Sequence, residues 1–133
     1  MKKIEHIGIA VENLEFSNQL FEKLLGVAAY HSESVAHEGV ETLFFKSGPN
    51  KIELLAATNP ESSIAKFLAK KGEGIHHIAF EVDDIEQEII RLKQEGFIFI
   101  DEFPKKGADN KRVVFLHPKN TNGVLIELCQ EIK

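Results

Sequence analysis

Four residues carry most of the chemistry this sequence offers. His6 opens His6-Ile7-Gly8-Ile9-Ala10-Val11, and His77 opens His77-Ile78-Ala79-Phe80-Glu81-Val82, 71 positions later. Glu53 stands in Ile52-Glu53-Leu54, and Glu127 in Ile126-Glu127-Leu128, 74 positions later. Each half therefore begins on a histidine and ends on a glutamate at matching places, and two segments repeated in register indicate a duplicated unit. Two imidazoles and two carboxylates suit a borderline divalent ion such as Co²⁺, Ni²⁺, Mn²⁺ or Zn²⁺. Calcium takes more oxygens. On an octahedral ion, four protein ligands leave two positions for water or substrate oxygens, which is a Lewis-acid site.

Strands must present these side chains. Residues alternate faces along a strand, so His6, Gly8 and Ala10 lie opposite Ile7, Ile9 and Val11. His77, Ala79 and Glu81 likewise lie opposite Ile78, Phe80 and Val82, and Glu127 points away from Ile126 and Leu128. His6, Glu53, His77 and Glu127 then share the side of a curved sheet that faces away from the helices, and the small Gly8, Ala10 and Ala79 leave room there for a ligand.

The intervening residues read as βαβββ twice. Asn13 caps a helix with Leu14, Phe21, Leu24 and Leu25 on its apolar face and Gly26 at its end. Val27–Val35, Val40–Lys46 and Lys51–Ala57 read as strands, the last two joined by a turn at 47–50. Asn59-Pro60 reads as the start of a helix carrying Ile64, Phe67 and Leu68 and ending at Gly72. After the strand at 75–82, Asp84 caps a helix with Ile85, Ile89 and Leu92, and Phe97–Ile100, Arg112–Leu116 and Val124–Cys129 supply three more strands. The expected fold is α+β: two βαβββ modules forming a curved mixed sheet around a metal site. Residues 1–133 form one domain, with module one at about 4–57, a linker helix at about 60–71 and module two at about 75–130.

Composition narrows the function classes. The 133 residues are 43% hydrophobic, enough for a single core, and the net charge of -5 gives no global field for nucleic acid or an anionic membrane. No apolar run approaches the roughly 20 residues of a membrane helix, and Met1–Val11 alternates where a signal peptide would be continuously apolar, so a cytoplasmic location is expected. The single Cys129 lies in an apolar strand and reads as a buried, inert thiol.

The strings His6-Ile-Gly-Ile-Ala-Val, Lys51-Ile-Glu-Leu-Leu, Ser63 through Ile85 (SIAKFLAKKGEGIHHIAFEVDDI), and His117-Pro-Lys through Gly123-Val-Leu-Ile-Glu-Leu resemble the vicinal oxygen chelate superfamily over essentially the whole chain. Within it they are most similar to the methylmalonyl-CoA epimerases, on the long central string and the closing one. The resemblance implies paired βαβββ modules around a divalent metal. It also implies proton removal and return at the α-carbon of a CoA thioester through an enolate. Glu127 is by that analogy both a ligand and one acid/base. For the second, some members place a glutamate where this chain has Thr42. Glu53, Glu41 through a strand bulge, or a water held by Thr42 are the alternatives.

The resemblance implies a homodimer as well. Lys105, Lys106, Lys111, Arg112 and Lys119 could grip the phosphates of CoA. Glyoxalase I, a lyase acting on glutathione adducts, shares the four ligand places and is the competing reading. A non-haem iron dioxygenase uses two histidines and one carboxylate, which Glu53 argues against. His76 is expected to be structural, His31 and His37 ordinary strand or surface residues, and His117 turn chemistry or support to the site.

Overall fold

A computed structural model describes residues 1–133, which divide into two compact bodies: His6–His76, and Met1–Glu5 together with His77–Lys133. The elements are β1 (Lys3–Ala10), α1 (Leu14–Leu25), β2 (His31–Val35), β3 (Val40–Ser47), β4 (Asn50–Ala57), α2 (Ser63–Lys71), β5 (Gly74–Glu81), α3 (Ile85–Gln94), β6 (Lys105–Lys106), β7 (Lys111–Leu116) and β8 (Ile126–Glu131), with 3-10 turns at Ala36–Glu38 and Pro118–Asn120. The βαβββ order thus occurs twice.

In the first body the strands lie in the order β2-β3-β4-β1. β3 and β4 form a hairpin in unbroken register from Val40 opposite Ala57 to Ser47 opposite Asn50. Its two-residue turn places Gly48 at φ 62°, which a glycine adopts without strain. β1 joins β4 in parallel, with Gly8 beside Glu53. One face of this sheet packs Leu43, Phe45, Leu54 and Ala56 against α1, through Leu14, Phe21 and Leu25, with Ile9 and Ile52 alongside. Asn13 accepts from the Phe16 amide at 2.9 Å and Gly26 closes α1 in the left-handed conformation, so both expected caps form. Leu24 does not join the core. It is exposed with Phe16 and Leu20, because positions 16, 20 and 24 form a stripe turned aside from that of 14, 21 and 25.

In the second body β5, β8, β7 and β6 are neighbours in that order. α3 buries Ile85, Ile89 and Leu92 against Val114, Leu116 and Leu128, flanked by Phe80, Phe97, Phe99 and Ile126. The Asp84 side chain caps α3 through the Gln87 amide at 3.2 Å.

Three sequence expectations shift. The strand expected over Val27–Val35 begins only at His31, where the ladder with β3 starts at Phe44. α2 is capped by Ser62, whose hydroxyl accepts from the Ala65 amide at 3.1 Å. The Asn59 side chain instead closes a local turn onto the Glu61 amide at 2.9 Å, and the helix starts after it. Phe97–Ile100 makes one isolated bridge, Phe99 with Leu116, while Phe97 and Phe99 pack on the α3 core. β7 instead pairs along Val113 and Arg112 with Lys105–Lys106, which becomes the short third strand.

Candidate metal centre and catalytic face

The faces follow from register, since residues directly opposite in a ladder project to the same side. In the first body His6 pairs with Lys51, Gly8 with Glu53, Glu53 with Phe44, Leu55 with Thr42, Phe44 with His31 and Thr42 with Glu33. His6, Glu53, Thr42, Phe44, His31 and Glu33 therefore share the face turned away from α1. In the second body Ala79 pairs with Glu127, Glu127 with Phe115, Cys129 with Val113 and Val113 with Lys105. His77, Glu127, Phe115, Cys129 and Lys105 share the corresponding face.

Each body by itself brings a histidine to a glutamate. His6 Nε2 lies 3.2 Å from Glu53 Oε1, and His77 Nε2 lies 3.3 Å from Glu127 Oε1. All four residues are buried, at 5%, 5%, 3% and 6% exposure. A buried carboxylate needs a compensating charge or donors, and two carboxylates in such surroundings are what a divalent cation offsets. The separations also fit: adjacent ligand atoms on an octahedral ion with bonds of about 2.1 Å stand about 3 Å apart. Each pair thus has the span of a two-atom chelate.

The repeat extends to residues that sequence reasoning did not single out. The Phe44 ring stands edge-on to His6, centroids 6.1 Å apart at 88°, and the Phe115 ring stands edge-on to His77, at 5.8 Å and 85°. Phe44 and Phe115 are separated by the same 71 positions as the two histidines, so that offset was a signal for them. Each ring stands beside its imidazole on the same face, from the strand position directly opposite the glutamate.

The other expected residues distribute unevenly. Thr42 is fully buried, its hydroxyl donating to the Glu33 carbonyl at 3.4 Å. Glu41 is exposed on the opposite face, and β3 carries no bulge on either side that could turn it inward. Lys105 and Lys106 project to opposite faces. Lys105 shares the side of Glu127 and approaches Asp101 at 3.9 Å, whereas Lys106 pairs across the ladder with Arg112, which bonds Glu86. Lys111 is buried and Lys119 exposed.

His76 packs its ring edge-on to Phe67 at 5.0 Å, and His117 Nδ1 accepts from the Lys119 amide at 3.2 Å, capping a 3-10 turn. His31 is more than an ordinary strand residue: its Nε2 meets Glu33 Oε1 at 2.9 Å, and its ring lies against Tyr30 and Phe44. Cys129 is fully buried, and burial, reinforced by the charges of Glu127 and Glu5, pushes its thiol far above the ordinary range.

Comparison with known proteins agrees with this architecture. Residues 5–115 match the glyoxalase/bleomycin resistance protein/dioxygenase superfamily. The chain is 43% identical over 127 residues to the mitochondrial methylmalonyl-CoA epimerase of Dictyostelium discoideum, covering 95% of this chain and 76% of that one. It is 40% identical over 130 residues to the ethylmalonyl-CoA/methylmalonyl-CoA epimerase of Cereibacter sphaeroides, covering 96% and 97%. Among solved structures, the Streptomyces coelicolor methylmalonyl-CoA epimerase in complex with 2-nitronate-propionyl-CoA superposes with a TM-score of 0.93 at 32% identity, covering 100% of this chain and 99% of that one. With the duplicated βαβββ fold and a matching histidine and glutamate in each half, the chain belongs to the methylmalonyl-CoA epimerase family of the glyoxalase/bleomycin resistance/dioxygenase superfamily.

Proposed function

We propose that this protein interconverts the epimers of methylmalonyl-CoA, with a divalent metal held by His6, Glu53, His77 and Glu127. The observation that carries the reading is the pair of equivalent buried chelates, one in each duplicated half, in a chain of this family. The α-hydrogen of a malonyl thioester is acidified by its thioester and carboxylate, and epimerisation needs only its removal and its return on the opposite side. When bound, the ion supplies Lewis acidity that favours ionisation of that carbon acid.

The chain's own residues do the rest. Glu127 takes or returns the proton on one side of the α-carbon, as a carboxylate positioned beside His77. The burial of all four residues limits their contact with water and strengthens their electrostatics. Lys105, on the same face as Glu127, meets the anionic groups of the CoA thioester, with Lys106 at the adjoining edge; Thr42 lines the face of the first half. The protein works as a homodimer in the cytoplasm, and no helix in it is long and apolar enough to cross a membrane.

The test uses one metal-loaded preparation with two substrates. Methylmalonyl-CoA should epimerise and take up deuterium at its α-carbon in heavy water, while the methylglyoxal–glutathione adduct should turn over poorly. Efficient glyoxalase turnover without α-exchange would overturn the epimerase reading. His77→Ala should abolish metal retention, and unchanged metal content in that variant would refute the ligand set. Glu127→Gln should slow epimerisation by about 10²- to 10⁴-fold with a smaller loss of metal, since an amide oxygen still coordinates weakly but accepts no proton.

A further inference from the structure

Epimerisation by two acid/base groups requires one on each side of the substrate carbon, and the first half has no glutamate at the Thr42 position. A threonine hydroxyl is too weak a base to take that proton, and Thr42 already donates to the Glu33 carbonyl. The strands of His6–His76 carry three glutamates, Glu33, Glu41 and Glu53, and no aspartate. Glu41 points to the opposite face, and Glu53 forms the chelate with His6. That leaves Glu33.

Its placement answers the vacancy at Thr42. Glu33 sits on β2 directly across the ladder from Thr42, on the same face as Phe44, Glu53 and His6. Opposed Cβ atoms in such a ladder lie about 4.5–5.5 Å apart, so the Glu33 side chain reaches over the position from which a longer residue at 42 would act. It is held there: Oε1 meets His31 Nε2 at 2.9 Å, and the imidazole is itself fixed against Tyr30 and Phe44, the ring that also stands edge-on to His6. The His31 and Glu33 side chains are 37% and 31% exposed, accessible to a substrate yet ordered.

Resting on the epimerase reading above, we infer that Glu33 is the second acid/base of this protein and that His31 is the residue that positions it. In one direction the Glu33 carboxylate takes the α-proton, the C–H electron pair remains delocalised in the substrate, and protonated Glu127 delivers its proton to the other side of the carbon. The new C–H bond inverts the centre. Glu33 then loses its proton to water and Glu127 regains one, and the reverse direction exchanges the two roles.

Each methylmalonyl-CoA epimer is incubated separately with metal-loaded wild type and Glu33→Gln in heavy water, following deuterium uptake by NMR and configuration by a chiral assay. Wild type should exchange and invert both epimers. Glu33→Gln should lose inversion by about 10²-fold or more, yet still exchange one epimer with retention through Glu127, while exchange of the other collapses. Glu33→Asp should restore part of the inversion. His31→Asn should lower kcat with KM little changed and displace the pH profile. Wild-type exchange from both epimers in Glu33→Gln, or equal loss from both, would overturn the assignment. Failure of the wild type to exchange either epimer would instead defeat the epimerase reading itself.

Discussion

At the scale of single residues, duplication made the two histidine–glutamate pairs readable. A lone histidine and a lone glutamate on strands carry little information, but two such pairs at offsets of 71 and 74 positions point to one arrangement. Cys129 was readable for a simpler reason, its apolar run. With its thiol buried and held protonated, native protein at pH 8 should resist iodoacetamide, and denaturant should release one reactive thiol per chain. Rapid alkylation of the native form would show that β8 opens far more readily than its packing suggests. Glu33 and His31 were not readable. Their i, i+2 spacing says only that they share a face, and which face depends on the pairing of β2 with β3, a contact no local pattern specifies.

At the scale of elements, helices were legible through chemistry that sits next to them in sequence. Asn13, Gly26 and Asp84 are caps whose partners lie within four residues. Strand limits were less legible, because a strand exists only where a neighbour supplies its hydrogen bonds. The apolar stretch 97–100 shows this: its periodicity is that of a strand, but its one bridge to β7 leaves Lys105–Lys106, with no apolar character, as the third strand.

Gly39, between a 3-10 turn and β3, is where local and tertiary demands coincide. Its φ is +66°, and a Cβ there would stand 2.6 Å from Asn59 Nδ2 and 2.8 Å from Ser62 Cβ, the residue that caps α2. Its carbonyl also accepts from the Thr58 amide at 2.8 Å. Gly39→Ala should therefore cost about 2 kcal/mol or more, read as a lowered urea midpoint with little change in slope. A loss below about 0.5 kcal/mol would mean that the α2 entrance moves aside freely.

At the scale of the whole molecule, the two bodies are not the two halves of the chain. Met1–Glu5 belongs with His77–Lys133, and the Lys2 amide donates to the Glu81 carbonyl at 2.8 Å. The terminal ammonium lies 3.2 Å from Glu88 Oε2, and Arg91 bonds the other oxygen. The Arg91 guanidinium foremost, and the ammonium after it, hold the Glu88 carboxyl below its ordinary value of 4.5. A carboxyl with a depressed folded pKa stabilises the protein fully above the unfolded value and ceases to as pH falls through the folded one. Glu88→Gln should therefore cost about 0.5–1 kcal/mol at pH 7, and progressively less as the pH falls below about 4.5, measured by denaturant titrations at both ends. An undiminished cost in acid would assign Glu88 a packing role in place of an ionic one.

The same short opening segment sets a schedule for the chain as it is made. Residues 1–5 leave the ribosome well ahead of the strand that completes them, which is encoded nearly eighty codons later. At about 5–20 residues per second, they wait roughly 4–16 s with their backbone donors and acceptors unpaired, while residues 6–76 already contain every strand their own sheet requires. Synthesis therefore passes through an interval in which one body can be finished and the other still lacks its partner strand, and that interval is when a chaperone would find residues 1–5 extended and open to hold.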